Sequence, residues 1–593
     1  MQPSTPAWTN FTAGELSPRL EGRFDFGSYF NGAREITNFT VHPHGGASRR
    51  PGSRYVAEVK DSAKKVRLEP FVFSDTEAYV LEFGDQYLRF FADEGQVVSG
   101  ATPYEIATPY YSTGATDHIT ALKMTQSADT VYICHPNIRP YKLTRGGHTD
   151  WSLATFAFSG GTAALDVGQA WTGATWPGAV TFYEQRAVYA ATPDRPQTHW
   201  FSKTGDFEDF TVGDEDDDAM IYTIASDYLN PIRWLCPKEA LHVGTLGSLW
   251  AAGTRTDLDP ISPGNIRFAR TATYGTADIQ GRVVGGSLVW VGRNGKRFFE
   301  QSYSVSGSDL SQSGLVVKDL MLLSNHIAAA GIVDFDWAQD PDHTLWAVLS
   351  DGDMVTGTYY PPESVMAWCR QETQGEYESL AVIPHGGRDQ VWTAVRREIN
   401  GQEKRYIEFF EGEFTNLDDA FFVDCGLSYT GATPLVTVSG LDHLALATVD
   451  ILAGGAVHPQ KQVSSGGALT LDWQNGATPI HVGLPYTSTI TTMRLDPKGP
   501  QGTGQAKQKR IHQAAVRFYQ TVGAKVGVEG EHMEVVNFRT TSDPMDAAVP
   551  LFTGDKTVKL RGGYNPDGRV TVTQNQPLPA TVLGIYPRLA TYE

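Results

Sequence analysis

Apolar residues in the middle of the chain recur in short alternating runs rather than at helical spacing. Most successive runs are about 45 to 60 residues apart, and each centres on an aromatic residue. These aromatic residues are Tyr79, Tyr132, Tyr189, Trp250, Trp290, Trp346 and Trp392. Asn294-Gly295 and Asp351-Gly352 are typical of tight hairpin turns. The pattern predicts a mainly β, propeller-like body of about six or seven blades over residues 66–424, with a pair of β-sandwiches as the alternative.

The C-terminal part, residues 425–593, is rich in Gly and Thr. Its runs alternate between apolar and polar positions, and Gly-Gly pairs such as Gly454-Gly455 separate them. Alternating runs joined by Gly-rich turns favour antiparallel sheets packed face to face. We therefore expect a C-terminal β-sandwich over this range.

The first 65 residues have a different pattern. An apolar face at helical spacing is formed by Phe26, Tyr29, Phe30 and Ala33, although Gly32 weakens it. A short strand, a tight Pro-Gly turn and a second strand follow. Three basic residues lie between the turn and the second strand: Arg49, Arg50 and Arg54. We expect residues 1–65 to be an N-terminal docking arm, a helix followed by a hairpin, whose exposed arginines contact a partner.

Composition supports several domains built from short strands. The chain has 593 residues, with 60 Gly, 33 Pro and 11% aromatic residues. Its net charge is −19, so the chain as a whole lacks the cations of a general nucleic-acid binder.

Cysteine usage and the chain ends indicate the compartment. The four cysteines are far apart, without a CxxC pair, so we expect reduced, buried thiols made in a cytosol. The first residues show no secretory signal, and no apolar run is long enough to span a bilayer.

Searches for catalytic and metal-binding spacings find nothing complete. HExxH, GxSxG and phosphate-loop motifs are absent. Asp214, Asp216 and Asp218 have the spacing of the first three ligands of a calcium loop. The pattern then fails, because Ala219 stands where the loop needs Gly and Ala225 where it needs Glu. We expect no enzyme activity, no metal and no cofactor.

Two groups of acidic residues are candidate functional sites, an acidic run and a pair of aspartates on one strand. The acidic run comprises Asp214, Glu215, Asp216, Asp217 and Asp218, and we expect it to form a solvated loop. Asp334 and Asp336 alternate along one strand beside aromatic residues. They make a propeller-type carbohydrate-binding protein or glycosidase the alternative function.

Several segments resemble one family, the tail nozzle proteins of short-tailed bacteriophages, also called tail tubular protein B-like or stabilisation proteins. At the N-terminus these are Gly14–Pro18 (GELSP), the Gly22-Arg23-x-Asp25-x-x-x-Tyr29 run, the turn Pro43-x-Gly45-Gly46 and Arg49–Arg54 (RRPGSR). Further segments are Asp216–Ala219, Thr223–Ser226, Asn230–Leu235 and Val482–Tyr486.

The resemblance implies a structural virion protein made in the host cytoplasm. Such subunits form a homohexameric ring in the tail, below the dodecameric adaptor ring and near the tail fibres or spikes. The ring retains packaged double-stranded DNA and conducts it during ejection without binding it specifically. On this interpretation Arg49, Arg50 and Arg54 dock to the assembly and the acidic run faces the channel. A scaffold protein of a bacterial cytosol is a third possibility.

Overall fold

The computed structural model describes residues 7–592 except 115, 156, 159–170, 172–174, 255–258, 305–313, 497, 500, 501, 504, 530, 531 and 546. Strands dominate these residues, which confirms the predicted mainly β fold. The helices found within them are short 3₁₀ turns at Pro18–Leu20, Gly27–Asn31, Ile119–Ala121, Pro361–Glu363 and Asp442–Leu444.

Seven antiparallel units, sheets 1 to 7, follow one another along the described part of residues 67–410. Each has four main strands, and the fourth strand of sheet 7 comes from the N-terminal segment. Sheet 1 consists of Arg67–Ser74, Glu77–Gly84, Tyr87–Ala92 and Glu105–Ala107, with the short strand Gly95–Gln96; sheet 2 of Lys123–Ser127, Thr130–His135, Ile138–Gly147 and Asp150–Thr155. Sheet 3 consists of Ala179–Tyr183, Arg186–Ala190, Thr198–Phe201 and Met220–Thr223; sheet 4 of Ile232–Pro237, Leu241–Thr245, Leu249–Gly253 and Arg267–Ala272.

The last three units complete this series. Sheet 5 consists of Arg282–Val284, Ser287–Val291, Phe298–Ser304 and Gly314–Asp319; sheet 6 of Ile332–Ala338, Thr344–Leu349, Met354–Tyr360 and Val365–Gln371. Sheet 7 consists of Glu376–His385, Arg388–Ile399, Gln402–Phe410 and, from the N-terminal segment, Ser53–Glu58. Small hairpins elsewhere pair Val98–Ser99 with Thr102–Pro103, Ser112–Thr113 with Thr116–Asp117, Thr437–Val438 with Leu469–Thr470, and Lys498–Gly499 with Gly502–Thr503.

Each of the seven aromatic runs found in the sequence lies in a different sheet. The aromatic residue is in the second strand, except Trp250, which is in the third. Apolar clusters join each sheet to the next, and sheet 7 packs in turn against sheet 1. In that last contact, Trp392 and Ile383 of sheet 7 meet Val80 and Phe91 of sheet 1.

The N-terminal segment is a core component, so the prediction of a helix-hairpin arm is wrong in two respects. The predicted helix is a 3₁₀ turn followed by the strand Gly32–Thr37, because pairing with Ser488–Thr492 outweighs a weak, Gly-interrupted helical pattern. The hairpin does form, between Phe39–Val41 and Ala47–Arg49. However, its second strand pairs with Thr581–Tyr592, so the hairpin is part of a larger sheet.

Two sheets enclose a common core at the C-terminal end and form a sandwich. One continues sheet 6 through Gly32–Thr37, with Gly14–Glu15 beside it, to Ser488–Thr492, Val570–Gln574, Lys525–Val528 and Met533–Val535. The other contains Phe39–Val41, Ala47–Arg49, Thr581–Tyr592, Gln508–Thr521 and Phe552–Lys559. Trp8, Phe39 and Ile36 are fully buried between them beside Val516 and Ile585. The sandwich therefore needs residues from both ends of the chain.

Residues 424–484 form a further β unit with its own apolar cluster. Its strands are Asp424–Tyr429, Ile480–Leu484, Thr448–Ala453 and Ala456–Gln462, and the first of them continues sheet 7 across Ser53–Glu58. The range 425–593, predicted as one sandwich, thus contains this unit and the C-terminal part of the sandwich.

The four cysteines are free and buried, which confirms the predicted state of their side chains. Within the described ranges, no helix is both long and apolar enough to cross a membrane.

Gly52 provides a direct test of how closely the N-terminal segment is packed. A Cβ atom on this residue would lie 1.9 Å from the carbonyl oxygen of Val423, which belongs to the backbone. We expect Gly52→Ala to lower the thermal unfolding midpoint strongly or to prevent folding, because the two chain segments must separate. Gly27→Ala is the matched control, since a Cβ there meets no atom within 4 Å. Equal midpoints for the two variants would contradict the observed packing.

Candidate functional site

The RRPGSR segment lies where sheet 7, the sandwich and the 424–484 unit meet. We call this site the arginine junction and define it by Asn38, Arg49, Arg50, Ser53, Thr373, Arg397, Glu408, Asp424 and Tyr486. Arg50 is completely buried. Its Nη1 and Nη2 donate to the two carboxylate oxygens of Asp424 at 2.8 and 2.7 Å, and its Nε donates to Asn38 Oδ1 at 3.0 Å. The Tyr486 ring covers the guanidinium at 4.0 Å.

A second buried pair adjoins the first. Arg397 donates through Nε and Nη2 to the Glu408 carboxylate, at 2.7 and 2.8 Å. The Thr373 hydroxyl links the pairs, because it accepts from Arg397 Nη1 at 3.0 Å and donates to Asp424 Oδ2 at 2.7 Å. The salt bridges Arg50–Asp424 and Arg397–Glu408 thus belong to one hydrogen-bonded network.

Ser53 connects this network to the N-terminal strand. Its hydroxyl donates to Glu408 Oε2 at 2.5 Å and accepts from the backbone N–H of Cys425 at 3.0 Å. The strand Ser53–Glu58 is therefore fixed by side chains as well as by its two β-ladders.

Burial and ion pairing shift the pKa values of Asp424 and Arg50 in opposite directions. Burial alone would raise the pKa of Asp424, but the Arg50 guanidinium outweighs it and holds that pKa below its usual value. Likewise, burial would lower the pKa of Arg50, and Asp424 raises it instead. Both groups are therefore charged at neutral pH, and each depends on the other.

The predicted exposed tip is wrong for Arg49 and Arg50, whose exposed fractions are 3% and 0%. Arg49 donates to the carbonyl oxygens of Tyr486 and Leu578 at 2.8 and 2.9 Å. Arg54 is partly exposed, pairs with Glu411 and lies over the Phe421 ring at 5.0 Å. The sequence around the arginines could not show this burial, because all these partners lie more than 300 residues later.

The sequence analysis missed Asp424 and Glu408, although each carries a signal. Asp424 follows Phe421-Phe422-Val423, and Glu408 precedes Phe409-Phe410. A single carboxylate within a continuous apolar run is buried with its strand and therefore needs a cation.

A polar cavity of about 300 Å³ lies where the first strands of five sheets begin. The charged residues lining it are Lys65, Arg67, Glu69, Lys123, Asp278, Arg282, Asp334, Glu376 and Glu378. Most of these charges are paired within the protein. Lys123 Nζ lies 3.1 Å from Asp278 Oδ1, and Glu378 Oε2 lies 2.7 Å from Arg405 Nε.

Asp334 and Asp336 both face sheet 7, as their alternation predicted. Asp334 Oδ2 accepts from Ser379 Oγ at 2.8 Å and from the Leu380 N–H at 3.1 Å. Asp336 lies 3.2 Å from Arg282 Nε and accepts from the Val382 N–H at 3.1 Å. These carboxylates join neighbouring sheets, which gives both of them a structural explanation. Burial raises the pKa of Asp334 to about 6, because it outweighs the attraction of Arg67 and the hydrogen bonds from Leu380 and Ser379.

The acidic run lies on the connection between the third and fourth strands of sheet 3. Asp214 to Asp217 are exposed, as predicted for a solvated loop, and none of the five residues lines the cavity. The buried Arg186 holds this loop through its backbone, donating to the carbonyl oxygens of Asp216 and Asp218 at 2.6 and 2.7 Å. Among the described residues, Asp217 pairs with Lys203 at 3.4 Å, whereas the carboxylates of Asp214, Glu215 and Asp216 form no ion pair and so are not needed to hold the loop.

No cluster of three or more His, Cys, Asp or Glu side chains able to hold a metal ion occurs among the residues that the structure describes.

Comparison with known proteins gives no family. No family model and no curated protein matches the chain. Among solved structures, U3-55K is similar at a TM-score of 0.36 and 9% identity, covering 61% of this chain and 100% of its own. The Cps50 (Swd1) β-propeller domain of Myceliophteria thermophila is similar at 0.34 and 9% identity, covering 60% and 99%. Likeness at this level assigns no function or partner.

Arg50→Met tests the junction. The substitution leaves Asp424 buried without its cation, and we expect a loss of about 3 to 5 kcal/mol in the free energy of unfolding. Arg54→Met is the control, because its partly exposed ion pair contributes only about 0 to 1 kcal/mol. Denaturant unfolding of both variants measures the difference, and a small loss in both would show that the junction is not structurally important.

Asp334→Asn tests the cavity charge. Because the pKa of Asp334 in the folded protein lies above its ordinary value, the charged carboxylate destabilises the fold above about pH 6. We expect the variant to be more stable than the unsubstituted protein at pH 8, by about 1 to 3 kcal/mol. That advantage should disappear as the pH falls towards 4.

Asp278→Asn is the control, because it leaves the buried Lys123 without its carboxylate and should destabilise at pH 8. The measurement is the unfolding midpoint of both variants and of the unsubstituted protein between pH 4 and pH 8. A pH-independent effect of Asp334→Asn would contradict the proposed charge penalty.

Proposed function

We propose that this chain is a structural virion protein that forms the nozzle ring of a short phage tail. The observation that carries the proposal is the convergence of two segments of the resemblance, RRPGSR and Val482–Tyr486, which are over 400 residues apart. Tyr486 covers Arg50 and its hydroxyl donates to the Arg50 carbonyl oxygen at 2.6 Å, while Arg49 donates to the Tyr486 carbonyl oxygen. The two segments that resemble the nozzle family thus contact each other in the arginine junction.

Glu15 of the GELSP segment supports the same interpretation. Its side chain is buried, accepts from the Ile36 N–H at 3.0 Å and lies 2.8 Å from Arg370 Nη2. This residue attaches the N-terminal segment to sheet 6. The GELSP and RRPGSR segments, which both resemble the nozzle family, thus connect sheets 6 and 7 to the sandwich.

The body of this subunit is a propeller of seven blades in our proposal. Sheets 1 to 7 supply the blades, and the contact of sheet 7 with sheet 1 completes the circle. The outer strand of the last blade is Ser53–Glu58, so the N-terminal segment completes the blade formed by residues 376–410. Such a body resists separation, because each blade buries apolar side chains against a neighbour on both of its faces.

Six copies form the ring, docked below the adaptor ring and near the fibres or spikes. A heterologous interface that closes by rotation is required, and exposed aromatic side chains suit such interfaces. Tyr228, Leu229 and Tyr274, with exposed fractions of 56%, 66% and 49%, are available for this purpose. Because Arg49 and Arg50 are buried, docking to the adaptor uses other surfaces.

The acidic loop faces the channel and repels passing DNA. Its carboxylates are exposed, and sixfold repetition multiplies their field, whose range at physiological salt is about 8 Å. Retention and conduction of DNA are mechanical and electrostatic, and no substrate is turned over. Asp334 and Asp336, the carboxylates on which the glycosidase alternative rests, are held to sheet 7 by hydrogen bonds to Ser379, Leu380 and Val382, which gives them a structural role.

Electron microscopy of the purified protein in negative stain tests the proposal. Rings with sixfold symmetry, and binding of these rings to heads that carry the adaptor, are the expected result. Single particles without ring formation at any concentration, together with retention on a polysaccharide column, would favour the carbohydrate-binding alternative instead.

Charge reversal in the loop tests its role. Virions carrying Asp214→Lys, Glu215→Lys and Asp216→Lys should assemble normally, because Arg186 binds backbone carbonyl oxygens of the loop. DNA ejection should slow several-fold at low salt, with a smaller difference at high salt where the charges are screened.

The control carries the same change in net charge at three exposed acidic residues elsewhere, Asp75→Lys, Glu363→Lys and Glu398→Lys. If both sets of virions eject DNA at the same rate at low ionic strength, the loop does not face the channel.

A further inference from the structure

The exposed face of the five-stranded sheet in the sandwich is basic, although the chain as a whole is strongly acidic. Its three C-terminal strands carry the exposed cations Arg510, Arg517, Lys559 and Arg588. Asp555 is the one carboxylate in these three strands, and it pairs with Arg517 at 2.7 Å. We call this surface the basic sheet face.

The strand register places three of these cations close together. Gln513 pairs with Arg588 on one side and with Lys559 on the other, so the two cations lie two strands apart, about 10 Å. Arg510 pairs with Ala590, which is two residues from Arg588, or about 7 Å along the strand. The three charges therefore form a compact group.

These three cations are available for an external partner. Among the described residues, Lys559 and Arg588 form no ion pair, and Arg510 donates to the Gly562 carbonyl oxygen at 3.2 Å rather than to a carboxylate. Their positive charges are therefore not neutralised by any carboxylate among the described residues.

Exposed aromatic rings lie at one end of the group. Tyr592 is 60% exposed and Tyr564 49% exposed, with ring centroids 6.1 Å apart. Tyr592 pairs with Gln508, two residues from Arg510. Tyr hydroxyl groups, like Arg and Lys side chains, hydrogen-bond phosphate oxygens in protein–DNA complexes.

We propose that the basic sheet face binds the phosphate backbone of DNA without sequence specificity. Closely spaced unpaired cations match a row of phosphates, and the flat face of a sheet offers no element that could enter a groove and read bases. The proposal stands without the nozzle ring, since binding is a property of the single chain. Within the ring, it would give the protein one surface that holds DNA and one that repels it.

Fluorescence anisotropy with a labelled DNA duplex tests the proposal on the full-length chain at several salt concentrations. The test variant is Arg510→Gln, Lys559→Gln and Arg588→Gln. The control variant removes three exposed cations elsewhere, Arg267→Gln, Arg270→Gln and Arg293→Gln, and so has the same net charge. Circular dichroism checks that both variants fold.

We expect the unsubstituted protein and the control to bind at low salt and the test variant to bind at least about tenfold more weakly. The slope of log affinity against log salt should fall by about 3 in the test variant, one step for each lost phosphate contact. Absence of DNA binding by the unsubstituted protein at low salt would overturn the proposal. So would equal weakening of both variants, or binding of polyglutamate but not of DNA, which would identify an acidic protein as the partner. None of these three results bears on ring formation.

Discussion

The rest of the structure depends on the buried ion pair between Arg50 and Asp424. Two charges in an apolar interior are tolerated only when each satisfies the other. The side chains of Asn38 and Thr373 and the carbonyl oxygens of Pro51 and Glu372 provide the remaining hydrogen bonds. The pair joins residues 374 positions apart. It therefore fixes the N-terminal segment between sheet 7 and the units that follow, and it forms only after most of the chain is available.

Because this ion pair holds the N-terminal segment in the core, the segment is not available as a surface for partner contacts. A segment that begins at the N-terminus and contributes strands to sheets 6 and 7 and to the sandwich cannot also move freely as a docking arm. Contacts with other proteins and with DNA must use surfaces that the fold leaves exposed. The acidic loop on sheet 3 and the basic sheet face on the sandwich are two such surfaces, and they are opposite in charge. In the nozzle ring that we propose, the basic sheet face would hold DNA and the acidic loop would repel it.

The sequence pattern correctly predicted those elements whose conformation depends mainly on residues close to them in the chain. The spacing of aromatic residues predicted about six or seven β units, and each of the seven aromatic runs lies in a different sheet. The Asp-Gly and Asn-Gly pairs correctly located two of the hairpins. The exposure of Asp214 to Asp217 followed from like charges in one run. The N-terminal segment was misjudged because its environment comes from the far end of the chain. Nothing near Arg50 in the sequence shows that Asp424 and Tyr486 will cover it, and the strand Gly32–Thr37 depends on Ser488–Thr492 for its conformation. A lone acid in an apolar run, such as Asp424, was the one available sign of the junction.

Native-state hydrogen exchange, followed by mass spectrometry, tests most directly whether the N-terminal segment is part of the core. Amides of Ser53–Glu58, Asp424–Tyr429 and Ile480–Leu484 are joined in consecutive ladders. The account predicts that they open together, with one free energy close to that of the whole protein. Fast, independent exchange of Ser53–Glu58 while the other two strands remain protected would contradict it, because the segment would then be a detachable arm.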